Sequence, residues 1–422
     1  MERTTKLKTK LAAKLVLLAC SAFNLTIGVL YTWNMFKLNM TSPVSEGGWG
    51  WTSQQAGLPY TVAIVFFSAG VFFGGRLQDR IGPRLVCTIG ALLVSFGMIL
   101  SGLFGGSVIG VALCFGIMTG VGIGFGYSSV LPTALKWFHQ SRKGLVSGFV
   151  TGGFCLAAVY LTPVATAFLN SFSIEHAMML MGGLLFLTSM TIAQFIKNPP
   201  AGYVPEVPKR VNPTLSIGRL PNDLTSKEIV KTKRFRLMSF IFLINVSIGL
   251  MVIGNIASIA YSQAKIYDSA VLAFLLSLMA IMNFFGRLVG GMISDKLGRT
   301  MTLLIVMIFQ LLNMLAFSFY GEVSLLIIGV AIAGFSFGAV LSIFPALTAD
   351  IFGLKNHGAN YGLIFLAYGV SGVLAPVFAD FFYDRYQSFT ISFIICAAMM
   401  LLAIWANFAL RRELINCNAG VK

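Results

Sequence analysis

The sequence predicts an all-α integral membrane protein of twelve transmembrane helices, arranged as two six-helix repeats. Three observations carry that prediction. First, the 422 residues are 57% hydrophobic and only 10% charged, with a mean hydropathy of +0.85, where a water-soluble domain carries about 25% charged residues. Second, the apolar residues fall into runs close to the ~20 residues that a bilayer core demands. Third, motifs of the first half return in the second at nearly constant spacing.

The run 14–37 follows Lys6, Lys8 and Lys10 and so resembles a secretory leader. It continues without a small-residue cleavage site, which makes it a first transmembrane span. Runs 55–76, 84–104, 107–134, 143–169 and 176–197 complete a half. The polar, proline-rich stretch that follows reads as a linker. Runs 236–263, 269–293, 300–320, 323–349, 359–382 and 386–410 make the second half. The expected divisions are therefore 1–197, a cytoplasmic linker 198–235, and 236–422. Loops rich in Lys and Arg stay in the cytoplasm. With both termini and the linker inside, all but Lys37, Lys265, Arg287 and Arg385 of the 30 basic residues lie on the cytoplasmic side.

Gly75-Arg76-Leu77-Gln78-Asp79-Arg80-Ile81-Gly82 after span 2 matches Gly291-Met292-Ile293-Ser294-Asp295-Lys296-Leu297-Gly298 after span 8, 216 residues on. Pro132 and Pro163 recur as Pro345 and Pro376, each 213 residues on. A duplicated six-helix unit with its site at the repeat junction is a transporter architecture. Asp79 and Asp295 can pair with Arg80 and Lys296 and accept hydrogen bonds at a neighbouring helix N-terminus.

Arg287 is the residue whose chemistry stands out. An arginine among Phe284, Phe285, Leu288 and Val289 costs roughly 3 to over 10 kcal/mol in hydrocarbon. Asp295, the acid that follows it in the span, is about 12 Å along a helix and has Lys296 and Arg299 beside it. An anionic substrate is the partner that fits, since a guanidinium offers a carboxylate a planar fork of donors at any pH. The alternative is an arginine satisfied by helix carbonyls or by amides such as Asn255 and Asn283. The 14 acidic residues fall in loops or near span ends, as do His139, His176 and His357, so no central proton carrier is visible.

Other functions find little footing. The net charge of +16 is spread over short loops and makes no nucleic-acid face. The six cysteines lie mostly in apolar runs without CxxC spacing, so they imply packing, neither disulfides nor metal. Gly120-x-Gly122-x-Gly124-x-Gly126 lacks the spacing and context of a nucleotide fingerprint and reads as a close-packing surface. No catalytic constellation or cofactor motif is present. A sugar carrier calls for many midplane amides and acids, a sensor for an output domain, and an inorganic anion would suit one arginine equally.

Twelve spans in two halves with the Gly-x-x-x-Asp-Arg/Lys-x-Gly loop resemble the major facilitator superfamily along the whole chain. Four stretches are together similar to the oxalate/formate antiporter family, which neighbours the monocarboxylate transporters. They are Gly28-Val-Leu-Tyr31-Thr-Trp33, Lys136-Trp137-Phe138 with Arg142-Lys143-Gly144, Phe344-Pro345 before Asp350-Ile-Phe-Gly353, and Asn360-Tyr361-Gly362. The resemblance implies the major facilitator fold, a bacterial inner membrane, and a carboxylate-binding arginine at Arg287. It puts pocket residues at Tyr31, Phe125, Tyr127, Phe154, Phe337, Leu341 and Phe365, and makes Asp79, Arg80, Asp295 and Lys296 latches of the cytoplasmic side. Tyr368 stands where oxalate exchangers carry a lysine, so one cation faces one carboxylate. Asn283 stands where animal monocarboxylate transporters carry an aspartate, and an amide cannot carry a proton. Exchange of small monocarboxylates of the lactate, pyruvate or formate type, or their facilitated transport, by a monomer without cofactor, is the resulting expectation. The alternatives are symport with a proton that accompanies the acid itself, or an oxalate or inorganic-anion transporter of the same fold.

Overall fold

The structure is a computed structural model that describes residues 2–206 and 223–419. Within the expected linker, residues 207–222 lie outside the described residues. Among the described residues twelve helices are long and apolar enough to cross a membrane. They are α1 Lys10–Thr41, α2 Ser53–Ile81, α3 Pro83–Leu103, α4 Val108–Trp137, α5 Gln140–Ser171, α6 Ile174–Ala193, α7 Lys233–Ala264, α8 Ala270–Leu297, α9 Arg299–Phe317, α10 Val323–Phe352, α11 His357–Tyr386 and α12 Thr390–Cys417. Large side chains such as Phe309, Leu312, Leu402 and Trp405 are more than half exposed, the reverse of a water-soluble surface and the natural finish of a surface solvated by lipid.

Sequence dictates where these helices begin and end. Thr52 and Gln55 form a reciprocal capping box at the start of α2, and Asp268 accepts the Ala270 N–H before α8. Tighter turns at Val29–Thr32 interrupt α1 just after Gly28, and π-helical turns run over Ala112–Thr119 in α4. Gly82 and Gly298 have φ of 89° and 90°, backbone that a side chain resists, and each stops one helix and starts the next. The charged motifs expected as loops are therefore helical as far as Ile81 and Leu297. Apolar counting misses these turns because a helix that has reached the polar boundary continues until a glycine ends it.

The described residues form two compact units. One contains 2–138, 153–206 and 355–369, the other 139–152, 223–354 and 370–419. In the first, α2 packs along α4, α3 along α6, and α1 against α4 and α6. In the second, α8 packs along α10, α9 along α12, and α7 against α10 and α12. Each pairing in one unit is that of the other advanced by six helices, so the duplication read in the motifs is also one of packing. Two helices pass between the units, α5 at Gly152–Gly153 and α11 at Gly369–Val370. The glycine run of α4 packs as expected: Gly120 and Gly124 meet α2, Gly122 meets α3, and Gly126 meets α1. Among the described residues none of the six cysteines is in a disulfide, and Cys20, Cys87 and Cys155 are buried.

Candidate functional site

Arg287 lies on α8, ten residues before the helix ends at Leu297. Two glycines set its position. A Cβ on Gly148 of α5 would stand 2.1 Å from the Arg287 carbonyl oxygen. A Cβ on Gly338 of α10 would stand 2.0 Å from the Asn283 carbonyl oxygen and 3.0 Å from Arg287 N. No larger residue fits at either point, so α5, α8 and α10 meet backbone to backbone at this turn. The side chain is only 2% exposed. Its Nε donates to Asn283 Oδ1 at 3.1 Å, and Nη1 donates to the Thr151 carbonyl on α5 at 2.8 Å.

These two bonds hold the guanidinium in one orientation, which is the preorganisation that bidentate recognition needs. They also answer part of the alternative raised by the sequence. An amide and a helix carbonyl do engage the arginine; the amide is that of Asn283, while Asn255 Nδ2 donates to Met251 O on its own helix at 3.1 Å. Phe337 and Leu341 of α10 belong to the same unit and are 3% and 1% exposed. The Phe337 ring covers Gly249 of α7.

The other unit gathers the aromatic candidates. Tyr31 meets Phe154 edge-on at 5.6 Å, and its hydroxyl donates to Cys155 Sγ at 3.8 Å. Tyr127 contacts Phe154 at 5.6 Å and Phe365 at 5.5 Å. Phe365 and Tyr368 stack at 4.8 Å with ring planes 6° apart. At the centre is Phe67 of α2, which sequence reasoning missed: its ring reaches Tyr127, Phe154, Phe365 and Tyr368 at 5.3–5.7 Å. Phe125 is set apart from this cluster, with its ring toward Gly74 of α2 and its Cβ toward Gly90 of α3.

The two repeated aspartates do the same job in different units. Asp295 accepts the Gly144 and Leu145 N–H groups at 2.8 Å each, at the start of α5. Asp79 accepts the Ala359 N–H at 3.0 Å, at the start of α11. Each carboxylate thus sits at the positive end of a helix dipole. The expected pairing of Asp295 with Lys296 is replaced. Asp295 binds Arg299 at 2.7 Å, Arg299 binds Asp350 at 3.0 Å, and Asp350 binds Lys143 at 3.0 Å. Lys296 is exposed: adjacent residues of a helix do not share a face, and the turn at Gly298 brings Arg299, the first residue of α9, to Asp295. Arg80 is exposed as well. Lys143 and Asp350 had a signal in the sequence, being part of the motifs that carry the family resemblance. Among the described residues no three His, Cys, Asp or Glu side chains are grouped to hold a metal.

The family model described as Major Facilitator Superfamily matches residues 17–323 and 239–414. This chain belongs to the Major Facilitator Superfamily. It is a multi-pass membrane transporter and not an enzyme. The superfamily member described here is 28% identical over 352 residues to the uncharacterized MFS-type transporter YhjX of Escherichia coli (strain K12), covering 82% of each chain. It is 26% identical over 364 residues to the oxalate:formate antiporter of Oxalobacter formigenes, covering 85% of this chain and 81% of that one. It is 24% identical over 360 residues to monocarboxylate transporter 12 of Rattus norvegicus, covering 80% and 73%. Among solved structures, the E. coli fucose:proton symporter FucP matches with a TM-score of 0.68 at 13% identity, covering 94% of this chain and 98% of that one, a likeness of fold.

Proposed function

We propose that this transporter exchanges small organic monocarboxylates of the lactate, pyruvate or formate type by alternating access, with Arg287 as the carboxylate-binding residue. One observation carries the reading: a permanently charged side chain, 2% exposed on a membrane helix, is held in a fixed orientation by Asn283 and the Thr151 carbonyl. Such a residue in a membrane helix is functional by default. One guanidinium balances one carboxylate. Tyr368, with a neutral hydroxyl, adds no second charge for a dianion such as oxalate.

Asn283 leaves Arg287 without a titratable neighbour one turn away, which favours neutralisation by an incoming anion over protonation. The carrier then reorients with an anion on the guanidinium in both directions, and exchange follows. The name of the relative from Oxalobacter formigenes, an antiporter of two small carboxylates, supports this reading. Tyr31, Tyr127, Phe154, Phe365, Tyr368, Phe337 and Leu341, together with Phe125, are proposed to line the substrate's path. Asp79, Arg80, Asp295 and Lys296 are proposed to govern opening toward the cytoplasm. The proposed setting is the bacterial cell membrane, with both termini cytoplasmic and a single chain as the working unit.

Uptake of labelled lactate into proteoliposomes, preloaded with lactate or left empty, tests the proposal. Wild-type uptake is expected only with preload, and Arg287→Ala is expected to lower it about a hundred-fold or more, the scale of two lost charge-assisted hydrogen bonds. Uptake into empty vesicles driven by an inward proton gradient would overturn exchange. Stronger competition by oxalate or nitrate than by pyruvate would overturn the substrate class, and wild-type uptake by Arg287→Ala would overturn the site.

A further inference from the structure

At one end of the second unit, a cleft of about 680 Å³ opens where α7 begins and α12 nears its end. Its lining includes Lys233 and Leu237 from α7 and Trp405, Phe408, Arg412 and Glu413 from α12. The outer face of α12 is apolar and exposed at Leu401, Leu402, Trp405 and Phe408, at 56%, 54%, 68% and 45%. It then becomes cationic at Arg411 and Arg412, both exposed. From Trp405 to Arg412 the helix rises about 10 Å. That change of character over that distance marks the passage from hydrocarbon to headgroups, with an indole on the boundary.

We propose that this cleft binds an anionic phospholipid, its phosphodiester held by Arg412 and Lys233 and its acyl chains lying along Leu237, Trp405 and Phe408. Three features select this occupant. The cleft is cationic: Glu413 Oε2 lies 4.0 Å from Lys233 Nζ, yet Arg412 leaves a net positive lining, and Lys231, Arg234, Arg236 and Arg411 flank it in the sequence. A choline or ethanolamine headgroup would bring a further positive charge to a place whose one carboxylate already has a partner. Inorganic phosphate would satisfy the cations but leave Trp405 and Phe408 uncovered. Lys233 is also the first residue of α7, where the helix dipole adds positive potential. Basic pockets between transmembrane helices at a headgroup layer are suited to anionic lipids.

The test uses the full chain, purified and delipidated in detergent. Its thermal unfolding is followed with added phosphatidylglycerol, phosphatidylcholine or inorganic phosphate. Phosphatidylglycerol is expected to raise the wild-type midpoint, and the other two to leave it unmoved. Arg412→Gln is expected to raise the half-effective lipid concentration about five-fold and Lys233→Ala/Arg412→Ala roughly 25-fold, following the usual contribution of each basic residue at a lipid surface. Equal stabilisation by phosphatidylcholine, or by phosphate, would overturn the proposal, as would an unchanged lipid response in both variants. Native mass spectrometry of the wild type gives a readout that needs no variant to fold. Preferential retention of phosphatidylglycerol over phosphatidylcholine supports the site, and equal retention refutes it.

Discussion

Asn283 is the residue through which the chemistry of Arg287 is tuned. Its side-chain amide oxygen accepts from Nε at 3.1 Å while the residue stays 2% exposed, so it orients the guanidinium without neutralising it. Asn283→Asp keeps the shape and turns that acceptor into a carboxylate, one helical turn from the cation. A buried pair with this geometry competes with any anionic substrate for the same donors. The KM for lactate in the exchange assay is expected to rise at least about ten-fold while the protein remains folded. An unchanged KM would mean that Arg287 does not bind the carboxylate. Gly148 and Gly338 bear on the same point from the backbone side, because the turn that presents Arg287 exists only while neither carries a side chain. Arg287 was legible in the sequence because a guanidinium in an apolar run contradicts its surroundings. Phe67 was not, since a phenylalanine in a membrane span looks like any other and only the fold shows its ring at the centre of the aromatic cluster. Thr151 contributes a backbone carbonyl, which no residue identity announces.

Among the elements, the contact of α8 with the start of α5 concentrates buried charge. Asp350 bridges two cations, Lys143 and Arg299, whose side chains are 7% and 10% exposed against its own 16%. Removing the shared acid leaves both with fewer partners in a poorly solvated place, and breaking such a pair costs about 3–5 kcal/mol. The bridge between Lys10 and Glu206 is the contrast. At 55% and 47% exposure it is screened by water and contributes under about 1 kcal/mol. Asp350→Asn is therefore expected to lower the unfolding midpoint by several degrees and Lys10→Ala hardly at all. Similar shifts for the two would show that the network adds nothing to stability. The sequence placed Asp295 at a helix start and put two cations beside it, Lys296 and Arg299; the structure pairs it with Arg299. Residue order alone does not choose between them: α8 ends at Leu297, and the turn at Gly298 starts α9 with Arg299 at its first position, beside Asp295, while Lys296 on α8 is exposed.

For the whole molecule, apolar run length and repeated motifs foretold twelve helices and their six-plus-six pattern, because bilayer thickness and duplication both write themselves into residue order. That α5 and α11 each divide their length between two compact units leaves no such trace, since hydropathy is blind to which neighbour a helix touches. Orientation is also carried by the whole chain. In the proposed orientation the twelve helices put both termini on one side, and all but Lys37, Lys265, Arg287 and Arg385 of the 30 basic residues are assigned to that side. Moving so many cations across a membrane during insertion is opposed at every loop, so the bias is far larger than any single loop can reverse. Green fluorescent protein fused at the C-terminus is expected to fluoresce, and alkaline phosphatase fused there to be inactive. Phosphatase inserted at Gly321, in the connection between α9 and α10, is expected to be active, since that connection carries no basic residue. The reversed pattern would place the basic loops outside the cytoplasm and would also reverse the side on which Asp79 and Asp295 are proposed to govern opening.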